Sequence, residues 1–260
     1  IAPEEIRYVI EDSESKAVFY QAELHYKIEQ IMNRIPPEVI LKAMQPVPDF
    51  EPLLLDNVEI EESYIPKIEL VDEAVIIYTS GTTGNPKGVV LSHLNLLADA
   101  KAISEWFQFT SETRTLCILP LFHNNGQITT CLAPLYAGGS TVIVKGKASL
   151  MSFWGLVEEY EASWTSVMAT ILSIILSLPI ERKDKTLQGI LCGGQVLTRS
   201  IQDEFESRFK VPIFEGFGLT ETTSFSCIND YPADKREIGS IGKPLPTNEM
   251  AILDEDGKEL

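Results

Sequence analysis

Between Val75 and Phe209, short apolar runs alternate with longer segments of helical period, and this rhythm constrains the chain more than any other feature. Val75–Thr79, Gly88–Leu91, Leu116–Leu119, Thr141–Val144, Thr165–Met168 and Gly189–Cys192 read as strands. Helices are predicted from Ser92, a ready N-cap, to about Phe107, and near 126–137, 150–161, 171–178 and 198–209. Upstream, Pro3–Glu11 reads as a helix, Ala17–Tyr20 as a strand, and Ala22–Ile35 as an amphipathic helix with Leu24, Ile28, Ile31 and Ile35 on its apolar face. The alternation predicts an α/β fold: largely parallel sheets with helices on both faces, and a ligand site at the carboxyl ends of the strands.

Composition narrows the function. A formal net charge of −17 excludes nucleic acid as a general partner, because phosphate backbones are bound by a surplus of Lys and Arg. Cys117, Cys131, Cys192 and Cys227 form no CxxC pair and lie in or beside apolar runs, the pattern of reduced, buried thiols in a cytoplasmic protein rather than of a zinc site. No apolar run reaches the roughly 18 residues of a membrane span. The acidic, Pro-containing stretch 46–72 reads as a surface connection.

The chemistry begins at Tyr78–Gly88, YTSGTTGNPKG, directly after an apolar run. Gly81, Gly84 and Gly88 let the backbone turn with its N–H groups exposed; Thr79, Ser80, Thr82 and Thr83 offer hydroxyls, and Lys87 a positive charge. These are the parts of a phosphate cradle. A Walker A loop is excluded, since counting from Gly81 places Pro86 at the second glycine and Gly88 at the magnesium-binding hydroxyl. The plain alternative is a flexible connection between two strands.

The loop resembles the signature of the adenylate-forming superfamily, which includes acyl-CoA synthetases, aryl-acid ligases, luciferases and adenylation domains. Four further stretches match that family's pattern in order: LPLFHNNG at 119–126, CGGQVL at 192–197, FEGFGLTE at 214–221 and GSIGKP at 239–244. The resemblance implies ATP-dependent activation of a carboxylic acid to an acyl-adenylate, followed by transfer to the thiol of coenzyme A. A carrier protein is the alternative acceptor, and a non-catalytic nucleotide-binding remnant the alternative class. It also implies roles. His123 would stand beside the acyl substrate, Gly193, Gly194 and Gln195 beside adenine, and Phe217, where many relatives have tyrosine, would stack on the purine next to Gly218. Thr220 would donate to the α-phosphate and Glu221 would hold Mg²⁺, with a helix N-cap and an ordinary first-turn glutamate as the plain readings of the same two residues. His123, Lys87, Thr220 and Glu221 form the expected catalytic set.

Segment 119–127 contains no acid to hold an α-ammonium group, which points to an acid without one. Segments 136–144, 152–160 and 231–244 look most like bacterial acyl-CoA ligases, including the crotonobetaine/carnitine group. The expected partition is a partial N-terminal sub-lobe at 1–72, an ATP- and acyl-binding core at 73–238, and the start of a strand-rich subdomain at 239–260. The family's ribose-binding aspartate and its lysine-bearing domain find no counterpart in this sequence, so the chain by itself is expected to bind nucleotide weakly and to adenylate slowly or not at all.

Overall fold

The computed structural model describes residues 1–47, 66–79, 84–144, 148–183 and 185–260. Contacts divide the chain into two compact units, Ile1–Glu69 with Ile76–Val90, and Leu70–Val75 with Leu91–Leu260.

In the first unit, α1 (Pro3–Asp12) opens with proline, where the missing N–H costs no helical bond, and carries Glu4 and Glu5 against the positive end of the helix dipole. Strand β1 (Ala17–Tyr20) pairs in parallel with a strand the sequence reading did not foresee, which follows a short α2 (His25–Glu29) and is designated β2 (Ile40–Ala43). The single helix predicted over 22–35 is interrupted: α2 is flanked by 3-10 turns at Ala22–Leu24 and Met32–Arg34. These tighter turns bring side chains to their partners: the Tyr20 hydroxyl meets His25 Nδ1 at 3.0 Å, and Arg34 pairs with Glu4. The apolar face survives, because Ile28, Ile31 and Ile35 are buried with Ile10 and Tyr20. Two further strands, β3 (Glu73–Thr79) and β4 (Lys87–Ser92), pair with each other; of their residues only those within Ile76–Val90 belong to this unit.

The second unit opens with α3 (His93–Trp106), whose start is a reciprocal capping box: Ser92 Oγ accepts from Asn95 N at 3.2 Å while Asn95 Oδ1 accepts from Ser92 N at 2.9 Å. There follow β5 (Arg114–Cys117), α4 (Ala133–Tyr136), β6 (Ser140–Ile143), α5 (Ala148–Met151), α6 (Phe153–Tyr160), β7 (Trp164–Val167), α7 (Ala169–Ser177), β8 (Gly189–Cys192), α8 (Arg199–Phe209), β9 (Ile213–Phe217), β10 (Cys227–Ile228) and β11 (Lys243–Pro244). One seven-stranded sheet results, in the order β6-β5-β7-β8-β9-β10-β11. Its first five strands are parallel; β10 runs antiparallel to β9, and β11 antiparallel to β10. The chain is therefore α/β with a mostly parallel sheet, as the alternation predicts.

All residues of β7 and β8 are buried, as strands covered on both faces must be. Alternate residues serve the two faces. Leu116, Val167, Ile190, Cys192 and Ile213 pack against Phe153, Trp154, Leu172, Phe205 and Phe209 from α6, α7 and α8. On the other face Trp164 and Phe214 meet Phe107 at the end of α3, with ring centroids 5.1 Å apart in each case. The predicted helix 126–137 begins instead as a π-helix, Asn125–Leu132, before tightening into α4. The Thr130 hydroxyl donates to Gly126 O at 2.6 Å within it, and such wide turns recur at functional sites.

Candidate functional site

The order of the parallel strands reverses at β5: the chain leaves it to form β6 on one side, then returns to form β7 on the other. Crevices outside the carboxyl ends of strands at such a reversal are where α/β sheets bind ligands. A cavity of ≈ 240 Å³ lies there. After β5 it is lined by Leu119 and His123–Asn125, and after β7 by Met168. Gly193 and Gly194 line it after β8; Gly218–Thr220, Ser224 and Phe225 follow β9.

Two glycines are needed for this wall. Gly194 has φ +79°, and a Cβ on Gly218 would collide with the backbone of Ser224 and Phe225. The turn after β9 is strained. Thr223, a β-branched residue, sits at φ 75°, ψ −59°, and Ser224 N reaches back to Thr222 O at 3.0 Å, closing a γ-turn of the rare positive-φ kind. Asn124 holds it: Nδ2 donates to Thr220 O at 3.3 Å and to Thr223 O, joining the β5 and β9 loops. Since its N–H groups go to carbonyls, the orientation of the Asn124 amide is fixed, and its Oδ1 is left buried without a partner. The side-chain oxygens of Asn125 and Gln127 are buried and unpartnered as well.

Behind Ser224 lies a buried carboxylate. Ser224 Oγ is 3.0 Å from Thr129 Oγ1, and Asp99 of α3, only 4% exposed, has no hydrogen-bond partner on either oxygen. Burial pushes the Asp99 carboxyl up to about 7, with Ser224 pulling the other way.

The family model described as AMP-binding enzyme matches residues 1–260. The chain belongs to the AMP-binding enzyme family. This AMP-binding chain is 30% identical to the sulfoacetate–CoA ligase of Cupriavidus necator over 256 residues, 98% of the chain and 50% of that protein. It is 31% identical to the oxalate–CoA ligase of Arabidopsis thaliana, covering 98% of the chain and 51% of the relative. Among solved structures, ATP-bound MatB from Rhodopseudomonas palustris superposes with a TM-score of 0.84 at 26% identity, over 100% of this chain and 51% of MatB. The chain thus spans about half the length of the curated relatives it matches.

Of the residues expected at the site of an AMP-binding enzyme, His123, Gly193, Gly194, Gly218 and Thr220 line the cavity together. Glu221 follows in the 3-10 turn Thr220–Thr222, exposed and without an ion pair among the described residues. Phe217 ends β9 with its side chain 41% exposed, and Gln195 is exposed just after Gly194. Thr79 and Lys87 belong to the first unit, where Thr79 Oγ1 lies 3.4 Å from Lys87 O across the ends of β3 and β4. Ser80, Gly81, Thr82 and Thr83 lie outside the described residues; Gly84 has φ +135°. The flanks of this loop are anchored on α1: the Tyr78 hydroxyl donates to Asp12 Oδ2 at 2.6 Å, and that of Tyr8 to Pro86 O at 3.1 Å. Burial first, and then the Asp12 bond, push the Tyr78 hydroxyl up to about 12, so it remains a donor. Asn124 and Asp99 were not singled out in the sequence; the only signal is an amide pair after a histidine, and a carboxylate inside the helical stretch 93–106.

Proposed function

We propose that this chain forms the nucleotide- and acyl-binding part of an acid–thiol ligase that works through an acyl-adenylate. A carboxylate oxygen attacks the α-phosphorus of ATP; the bond to the bridging oxygen breaks and pyrophosphate leaves. The thiol sulfur of coenzyme A then attacks the acyl carbon, its proton is lost to solvent, and AMP leaves. The observation that carries this reading is the convergence of four strand-end loops, after β5, β7, β8 and β9, on one cavity at the strand-order reversal of a chain in the AMP-binding family.

Within that reading, Lys87 and the loop 79–84 take the phosphates, and Thr220 the α-phosphate. The backbone at Gly193 and Gly194, with Gln195, takes the adenine, and the exposed face of Phe217 stacks on it. His123 flanks the acyl group. Magnesium fits the residues present: Glu221 offers a single carboxylate with no ion pair among the described residues, and Mg²⁺ prefers one or two carboxylates completed by phosphate oxygens and water. Bound there, it would neutralise phosphate charge in the transition state. Each named side chain does the complementary work of orienting two anions and excluding water.

Calorimetric titration with MgATP, with MgGTP as the specificity control, tests the reading. Selective binding of MgATP, weakened at least tenfold in a Lys87→Ala/Glu221→Ala double variant shown by circular dichroism to be folded, is the expected result. Equal binding of both nucleotides by the folded chain refutes it.

A further inference from the structure

The turn that carries Thr220 is held by two side chains from one stretch of chain. Thr220 O accepts from Thr223 N at 3.1 Å and from Asn124 Nδ2 at 3.3 Å, and Asn124 Nδ2 also donates to Thr223 O. One residue on, Ser224 Oγ lies 3.0 Å from Thr129 Oγ1. Asn124 and Thr129 are both buried. Asn124 has helical dihedrals, φ −53° and ψ −39°, and leads directly into the π-helix Asn125–Leu132, which contains Thr129. Thr220 and Ser224 line the cavity, so both contacts act on its wall.

The width of the helix makes the double contact possible. In an α-helix, at 3.6 residues per turn, side chains five positions apart point about 140° away from each other. The i→i+5 bonding of a π-helix instead sets positions five apart one turn above another, on a single face. Asn124 and Thr129 therefore reach the same turn because this segment is wound as a π-helix. The turn requires such support. Thr223, β-branched, sits at φ 75° and ψ −59°, and a residue in so sparsely populated a region persists only where its surroundings over-determine it. Within the turn, Thr222 Oγ1 accepts from Leu219 N at 3.0 Å; the bonds from Asn124 and Thr129 tie it to a different element.

We propose that the π-helix is a positioning element of the nucleotide site: Asn124 and Thr129, set on one face by its wide turns, hold the strained 220–224 turn so that the Thr220 hydroxyl faces the α-phosphate. Both are positioning residues that act through Thr220, and the inference rests on the role proposed for Thr220 above. A merely structural contribution would weaken every ligand alike, whereas positioning weakens the α-phosphate contact in particular.

AMP and adenosine differ by the α-phosphate alone, so the ratio of their affinities isolates that contact and cancels a general loss of binding. Ligand-observed NMR, which reads weak binding, gives the ratio on the unaltered chain and on variants shown by circular dichroism to be folded. Thr220→Ala is expected to lower the preference for AMP about tenfold, and Asn124→Ala about fivefold. In the Asn124→Ala/Thr220→Ala double variant the two losses should not multiply, because one residue acts through the other. Thr129→Val, which keeps the shape and removes the hydroxyl, should lower the preference about threefold, and it decides alone if Asn124→Ala fails to fold. An unchanged preference in either folded variant, beside a lowered one in Thr220→Ala, overturns the inference and leaves the acyl-adenylate reading intact; so do losses that multiply. A preference unchanged in Thr220→Ala, or absent from an unaltered chain that binds adenosine, removes the role of Thr220 and the inference with it. Hydrogen exchange in the free chain adds a readout that needs no nucleotide. Both variants should speed exchange at the Thr223 and Ser224 amides, which bond within the turn, and leave the Ile190 amide of β8 as it was; unchanged exchange at the turn overturns the inference.

Discussion

Asp99 offers a direct test of whether the wall behind the cavity is as unsatisfied as its geometry says. Replacing it with asparagine keeps the shape and removes the ionisable group. In the unfolded chain the carboxyl titrates at its ordinary value, 3.8, whereas in the folded chain burial lifts it to about 7. A raised carboxyl means that the folded state holds a proton the unfolded state has released, so stability is greatest in acid and declines as pH rises between these two values. The full span of about three units corresponds to an upper limit on the order of 4 kcal/mol. Between pH 5 and pH 8 the loss is roughly 2–3 kcal/mol, because part of the span lies below pH 5 and the folded carboxyl itself ionises near 7. Urea unfolding at several pH values, read by the fluorescence of Trp106, Trp154 and Trp164, all in the second unit, measures it. The stability of the unaltered chain should fall by that amount relative to Asp99→Asn, whose own unpaired amide contributes a pH-independent offset. Parallel pH profiles, differing by less than about 0.5 kcal/mol in shape, would refute the reasoning and mean that Asp99 is ionised and solvated in the folded protein.

Asn124→Ala removes the donor to Thr220 O and Thr223 O and leaves two carbonyls unmet; a loss of about 1–3 kcal/mol in urea unfolding is expected, together with weaker nucleotide binding by calorimetry. Gly218→Ala forces a Cβ onto the Ser224 backbone, and thermal unfolding should show it to be more destabilising than Gly155→Ala, where the added methyl meets nothing within 4 Å. Glu206→Gln leaves Arg236, which it holds at 2.6 Å with only 9% of the arginine side chain exposed, without a counter-charge; about 3–5 kcal/mol should be lost near neutral pH. Burial alone would raise Glu206, but Arg236, the Ile213 N–H and Gln202 together hold it below the ordinary 4.5. Its stabilisation is therefore present above pH 4.5 and lost as pH falls through the depressed value, so the variant should show a shallower acid-unfolding transition.

The parts of the fold that were legible are those where side-chain period and backbone agree. Gly189–Cys192 was readable as a strand because its apolar residues are buried on both faces, and Ser92 was readable as a cap from its residue type alone, its hydroxyl accepting the Asn95 N–H. Strand β9 hides its nature by placing Glu215 and Gly216 in its middle; the glutamate is buried, where it accepts the Leu197 N–H at 3.2 Å. Strands β10 and β11 have two residues each, too few to show a period, and depend on pairing with distant neighbours. The glycines of the cavity wall announced themselves because backbone approach demands glycine. Its strained turn did not, since nothing in a threonine foretells φ 75°, and the clamp that holds it is an asparagine 99 residues earlier in the chain.

The two ends of the large sheet are finished in opposite ways, and the contrast bears on function. Toward the amino ends of β8 and β9, three arginines donate to carbonyls at the ends of helices and strands. Arg208 donates to Leu176, Leu178 and Ile180, Arg182 to Leu187, Phe209 and Lys210, and Arg236 to Ile213. Such caps satisfy the acceptors at helix C-termini and complement the dipole there. At the carboxyl ends the opposite holds: the turn at Thr223 is strained, and side-chain oxygens of Asp99, Asn124, Asn125 and Gln127 are buried without a partner. Each feature costs free energy in the unliganded chain, of order 1–3 kcal/mol for a strained residue and similarly for an unmet buried group. A sheet able to cap one end so thoroughly could have capped the other with the same residue types. The strain is thus concentrated at the end of the sheet where the proposed nucleotide site lies, as strained residues in folded proteins commonly are.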